Sequence, residues 1–341
     1  MEMLKGILLL LLALSFFSVF SLKAPNGQKA MGGLANAAVA TFLVEALHRF
    51  ISGDMLGIEF LGNVGHIVGG MGGVASGSLV MLALGINPVF AISAGLALFG
   101  MGILEGFIVG YALSFLVPVI EKHLPEGIDV IAGVLVVAPV GRLLAEIVSP
   151  LVSSTLTNLG GMILDASNQS PIFMGLLLGG LMKVICTSPL SAMALTAILG
   201  LKGLPMGIAS IACFGGTFAD GVTFYRLKLG NKSKTISMMM EPLTQADIVT
   251  ANPIPIFSSS FVGGSLAGLS AAYFNIISNA PGTASPIPGL LTPFAFNPAP
   301  TVFMALIFAM LGGIIGGFIV STFFLYLKTN KKPAVNFASF R

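Results

Sequence analysis

Charge is what this sequence has least of. Only 9% of its 341 residues are Asp, Glu, Lys or Arg, against roughly 25% in soluble domains, and that excludes a soluble globular protein. None of the four occurs between Phe60 and Leu104 or between Ile248 and Leu327. Such stretches have no wet face and belong in lipid. The net charge of +3 is spread over loop ends instead of gathered in a patch, which excludes nucleic acid as a partner. The two cysteines, Cys186 and Cys213, lie in apolar runs without a CxxC or His/Cys cluster; they read as buried structural thiols, and no metal or cofactor is called for. No G-x-S-x-G, H-E-x-x-H or Walker A sequence occurs, so a soluble-enzyme mechanism and an ATP-driven pump are both excluded. Gly70–Ala75 fits only the loose dinucleotide pattern, with no strand before it, and reads as helix packing. Tryptophan is absent, while glycine reaches 43 and proline 19, a composition suited to membrane helices that are closely packed or broken.

What is present is hydrophobic: 55% of the residues, with a mean hydropathy of +0.99. A spanning helix needs about 20 apolar residues. The sequence therefore predicts an all-α integral membrane protein, a single membrane domain over residues 1–341 with roughly nine or ten transmembrane helices. The apolar segments run Ile7–Leu22, Met31–Leu47, Ile67–Gly85, Phe90–Val119, Ile128–Val148, Pro171–Leu201, Leu204–Ala219, Phe257–Ile277 and Thr301–Leu327. The first reads as an uncleaved span, since no small-x-small cleavage site follows it. Arg226–Lys234 carries four positive charges and no acid, and the tail adds Lys328, Lys331, Lys332 and Arg341. Both are expected in the cytoplasm, with two spans between them. The acidic loop of Glu121, Glu126 and Asp129 is expected outside, and parity places the N-terminus there too.

Two segments are apolar but too broken to span. Glu241–Pro255 holds three prolines and two acids, and Asn279–Gly289 is rich in turn-formers. Irregular backbone at membrane depth is tolerated where protein buries it or where it lines a wet cavity, so these segments read as re-entrant and facing a polar ligand; the second, taken by itself, reads equally as an ordinary external loop. Small-residue pairs at i, i+4, such as Gly175/Gly179, Gly264/Gly268 and Gly312/Gly316, predict close helix packing. Ionisable residues inside apolar runs are functional candidates by default. Here they are His66, Glu105, Arg142 with Glu146, Lys183, Asp220 and Glu241. Arg142 and Glu146 read as an intrahelical ion pair, and Lys183 as a side chain snorkelling to an interface. Glu105, in the middle of Phe90–Val119, has to meet a cation, a ligand, a proton or the backbone of a broken helix.

Three stretches occur together: Cys186-Thr-Ser-Pro-Leu-Ser191, Gly215-Gly-Thr-Phe-Ala-Asp-Gly221, and the pair Ala251-Asn-Pro-Ile-Pro255 with Asn279-Ala-Pro-Gly-Thr-Ala-Ser285. In this order the chain resembles the membrane (IIC) component of the phosphoenolpyruvate sugar phosphotransferase system. Its opening, Ser21–Pro25 and Ala38–Ala46, is similar to the branch that includes perfringolysin regulators. The resemblance implies a bacterial inner-membrane protein, homodimeric and surrounded by lipid, that binds and translocates a sugar while a phosphorylated IIB-type protein acts in trans. No soluble IIA or IIB domain is expected in the chain, nor catalysis by it alone. The alternative is a ligand-sensing membrane regulator on the same fold. Hydroxyl-rich ligands are held by Asn, Thr, Ser, Gln and one or two carboxylates. Thr187, Ser188, Glu241, Gln245, Asn252, Asn279 and Thr283 supply that set, with His66 and Glu105 next in line.

Overall fold

A computed structural model of the chain describes residues 2–125, 128–190 and 192–330. Glu126, Ser191, Lys331, Lys332 and Arg341 lie outside them. Among the described residues the structure is helical throughout, without a named strand. The helices are α1 (Glu2–Lys23), α2 (Gly27–Ala38, continued by a π-helical stretch to Met55), α3 (Glu59–Gly69), α4 (Gly72–Ala83), α5 (Pro88–Ala97), α6 (Ile103–His123), α7 (Ile128–Ser167), α8 (Pro171–Thr187), α9 (Ala192–Ile198), α10 (Gly203–Leu227), α11 (Lys232–Met240), α12 (Ala246–Ala251), α13 (Pro253–Tyr273), α14 (Pro286–Leu291) and α15 (Ala299–Asn330). Among the described residues seven helices are long and apolar enough to cross a membrane, or eight if α3 and α4, bent by 56° at their junction, count as one span. Two further apolar helices, α5 and α8, are shorter, at 10 and 17 residues.

The breaks follow local chemistry. Phe90–Val119, expected as one span, is two helices. Gly100 takes a left-handed φ of +78°, a conformation that costs glycine little, and the chain turns there between α5 and α6. Asn87 caps α5 by accepting the Val89 N–H at 2.9 Å, with Pro88 at the first helical position. Pro171–Leu201 breaks at Ser188-Pro189, where α8 ends. In the other direction, the helix predicted to stop at Val148 runs on to Ser167. Ser154, Thr155 and Asn158 fold their side chains back onto carbonyls of the preceding turn, at 2.8–3.1 Å, so polar residues that suggested a loop stay inside the helix.

Two groups of helices result. In the N-terminal group α4 packs between α2 and α6, and α7 against α1, α5 and α6. In the C-terminal group α13 packs against α8, α10 and α15, and α10 against α15. The glycine pairs lie on these seams: Gly175 and Gly179 face Gly264 and Gly268 backbone to backbone. Residues 242–251 and 286–291 sit where the groups meet, the first against α2 and α1 and the second against α10 and the π-helical stretch. Arg142 and Glu146 form the expected intrahelical pair at 2.8 Å.

Candidate functional site

The middle of the C-terminal group is polar. Lys183 on α8 is fully buried, and its Nζ lies 2.8 Å from Oδ2 of Asp220 on α10, which is equally buried. Ser260 on α13 donates to Asp220 Oδ1 at 2.7 Å. Thr187 Oγ1 donates to the Lys183 carbonyl of its own helix at 2.9 Å and lies 3.4 Å from Asp220 Oδ2 and 3.2 Å from Ser260 Oγ. The ion pair and the Ser260 hydroxyl thus tie three helices together. Lys183 does not snorkel, and glycine is the reason. Its stem runs between Gly216 of α10 and Gly264 of α13, where an added Cβ would strike the Lys183 side chain. Glycines on two neighbouring helices leave the groove that houses the butyl chain. Both cysteines are free and buried near this lysine, Cys186 one turn further along α8 and Cys213 on α10.

Glu241 is brought to the same region by α11. Thr217, in the Gly-Gly-Thr-Phe stretch of α10, donates to the Met239 carbonyl at 2.6 Å and so pins the end of α11 onto α10. Glu241 follows, 6% exposed, with its Oε2 accepting from Ser285 Oγ at 3.0 Å and its Oε1 from the Leu243 N–H at 3.4 Å. The Ser285 contact joins one broken segment to the other. Glu241 lies between the spanning helices. Burial pushes its carboxyl above the usual carboxylate range, over the opposing pull of Ser285, the Leu243 N–H and, at longer range, Lys183. Gln245 is buried nearby and donates to Thr244 Oγ1 at 3.1 Å.

The remaining candidates stand apart from this cluster or serve local structure. Ser188 donates to the Ile185 carbonyl at 2.8 Å and accepts the Leu190 N–H, forming the turn after α8. Asn252 is half-buried before α13 and bonds the Ile248 carbonyl. Asn279 accepts the Gly203 N–H at 3.2 Å, holding its segment to the start of α10. Thr283 is buried and donates to the Ala280 carbonyl, with Thr292 beside it. His66 is exposed in the last turn of α3. Glu105 occupies the first turn of α6 and not the middle of a span. Its carboxylate folds back over Gly102, so a buried acid complements the positive end of the helix dipole. Lys183, Asp220, Ser260 and Ser285 are members of the cluster that motif reading did not select as binding residues. The available signal was the lysine in an apolar helix together with glycine pairs on other segments.

The cluster is closed. Lys183, Thr187, Asp220 and Ser260 have no exposed surface. Cavities of about 410 Å³ beside α6 and α7 and about 400 Å³ between α1 and α7 lie elsewhere. The two broken segments bound the cluster towards the N-terminal group.

The model of the family described as Phosphotransferase system, EIIC, matches residues 28–336 of the chain. No curated protein and no solved structure matches the chain.

Proposed function

Since the chain belongs to the phosphotransferase system EIIC family, a family of multi-pass bacterial membrane proteins, we propose that it is the sugar-binding and translocating component of such a system. A phosphorylated IIB-type protein supplies the phosphoryl group in trans. The observation that carries this reading is the meeting of the broken segments at Glu241 and Ser285, 3.0 Å apart, beside the polar core of Thr187 and Asp220. Irregular backbone and buried acids are costly in lipid and occur where a polar ligand is handled. Glu241, Ser285, Thr187 and Gln245 form the inner contacts. Ser188, Asn252, Asn279 and Thr283 hold the segments that carry them, and His66 and Glu105 serve the N-terminal helices.

The chain's part in phosphoryl transfer is positioning: it orients a sugar hydroxyl toward the partner's phosphoryl group. Inverted membrane vesicles containing the chain, given labelled hexoses and a phosphorylated IIB-type protein, should form sugar phosphate, and omission of the partner should abolish it. Saturable sugar binding with no flux and no phosphorylation would instead fit the regulator-type branch.

A further inference from the structure

The buried charges of this site do not balance. Lys183 neutralises Asp220 by direct contact at 2.8 Å, which leaves Glu241 buried with a hydroxyl and a long N–H contact as its partners. The cluster of one cation and two acids therefore carries an excess negative charge when both acids are ionised. The groups facing Glu241 do not supply the missing cation. Among the described residues, Lys183 reaches Glu241 from α8 only at long range and is already paired with Asp220, and Cys213 of α10 is not a cation. The buried face of α2 is Gly, Ala, Met and Leu, and its Lys29 is exposed. Residues 286–291 have no ionisable side chain. Lys232 and Lys234 on α11 are exposed, and Asp247 on α12 would add to the imbalance. Among the described residues, no three His, Cys, Asp or Glu side chains are grouped to hold a metal ion.

A buried carboxylate with no cation in contact is far costlier than the neutral acid. Resting on the proposed sugar site, we propose that Glu241 is a proton-binding site that is loaded while the site is closed and empty, and that sugar binding there releases the proton. The contact to Ser285 serves either state, because at 3.0 Å a hydroxyl can donate to the carboxylate or accept from the acid. A sugar hydroxyl that replaces the long Leu243 contact at Oε1 gives the ionised form a second good donor. The carboxyl O–H bond then breaks, its electron pair stays on the carboxylate, and the proton leaves to water through the opened segments. The sugar hydroxyl keeps its own proton.

Infrared pH-difference spectroscopy on the purified full chain in lipid vesicles, without sugar, tests the loading. The expected result is a carboxylic-acid C=O band from a dry site that bleaches as pH rises. It should be absent in Glu241→Gln and retained in Glu105→Gln. If Glu241→Gln fails to fold, Ser285→Ala provides the assignment, since removal of its hydroxyl should move the band. A folded wild-type protein with no such band, a band that survives Glu241→Gln, or one that ignores Ser285→Ala would overturn the proposal. So would an effect produced by exchanging sodium for potassium, which would assign a metal ion instead. The coupled release is read with a pH-indicator dye during titration with glucose, galactose, mannose and fructose. About one proton per bound hexose is expected below the Glu241 titration, and binding without release overturns the linkage. Failure of every hexose to bind would count against the sugar reading and leave the infrared result to stand on its own.

Discussion

Lys183 shows how little a residue's identity says about its role until its neighbours are placed. In sequence it is a lysine in an apolar helix, and snorkelling is the ordinary outcome. In the fold it is fully buried against Asp220, because Gly216 and Gly264, distant in sequence, clear a channel for its stem. A buried ion pair is expensive to break from one side. Lys183→Met alone or Asp220→Leu alone should destabilise the protein by about 3–5 kcal/mol, and the double variant should recover most of that loss. Melting followed by fluorescence-detected size exclusion measures it, and additive losses would show that the pair is not coupled. Glu241 gives a pH dependence with a definite sign. Its folded carboxyl titrates above the usual carboxylate range, so the stability tied to the neutral acid is complete below that range and lost as pH rises through the folded value. The wild-type melting temperature should fall over this window, and that of Glu241→Gln should not.

At the scale of elements, the helices were legible and their interruptions only partly so. The glycine pairs and the two broken segments were readable because spacing and proline content are local. The turn at Gly100 and the end of α8 at Ser188-Pro189 lie inside runs of uniform hydrophobicity, where hydropathy carries no boundary signal. The continuation of α7 to Ser167 depends on side chains bonding back to carbonyls, which polar composition alone resembles a loop in doing. Glu105 was misplaced for the same reason: with the turn at Gly100 unseen, it fell in mid-span. The seam that carries the site makes a direct prediction. An added methyl at Gly264 collides with the Lys183 stem and the Gly179 carbonyl. Gly264→Ala should therefore cost about 1–3 kcal/mol as an overpacked core, whereas Gly32→Ala, inside α2 where a Cβ meets nothing within 4 Å, should raise melting slightly through helix propensity.

For the whole molecule, the charge pattern and the helix order agree on a sidedness. α13 and α15 are the long helices between the basic stretch Arg226–Lys234 and the last described residues. Both ends of that pair are therefore proposed to face the cytoplasm. Reporter fusions after Lys234 and after Arg341 should give cytoplasmic signal, and a periplasmic signal at either would reverse the arrangement. A homodimer within lipid remains the proposed assembly, tested by native mass spectrometry from nanodiscs. For the proposed site, residue type and segment named candidates without their neighbours. Thr187 and Glu241, named from residue type and segment, lie in the buried polar cluster, whereas Asn252, named on the same grounds, bonds a carbonyl of its own turn and Asn279 ties its segment to the Gly203 N–H at the start of α10. Only the fold separates the two groups. The central claim is that a sugar binds where Glu241 meets Ser285. Calorimetric titration of the purified protein with a panel of hexoses tests this most directly, on the wild type, Glu241→Gln, and Arg142→Gln as a distant control. One hexose should bind with an affinity that falls by about 1–3 kcal/mol in Glu241→Gln and is unchanged in the control. Equal affinity in all three proteins would contradict it.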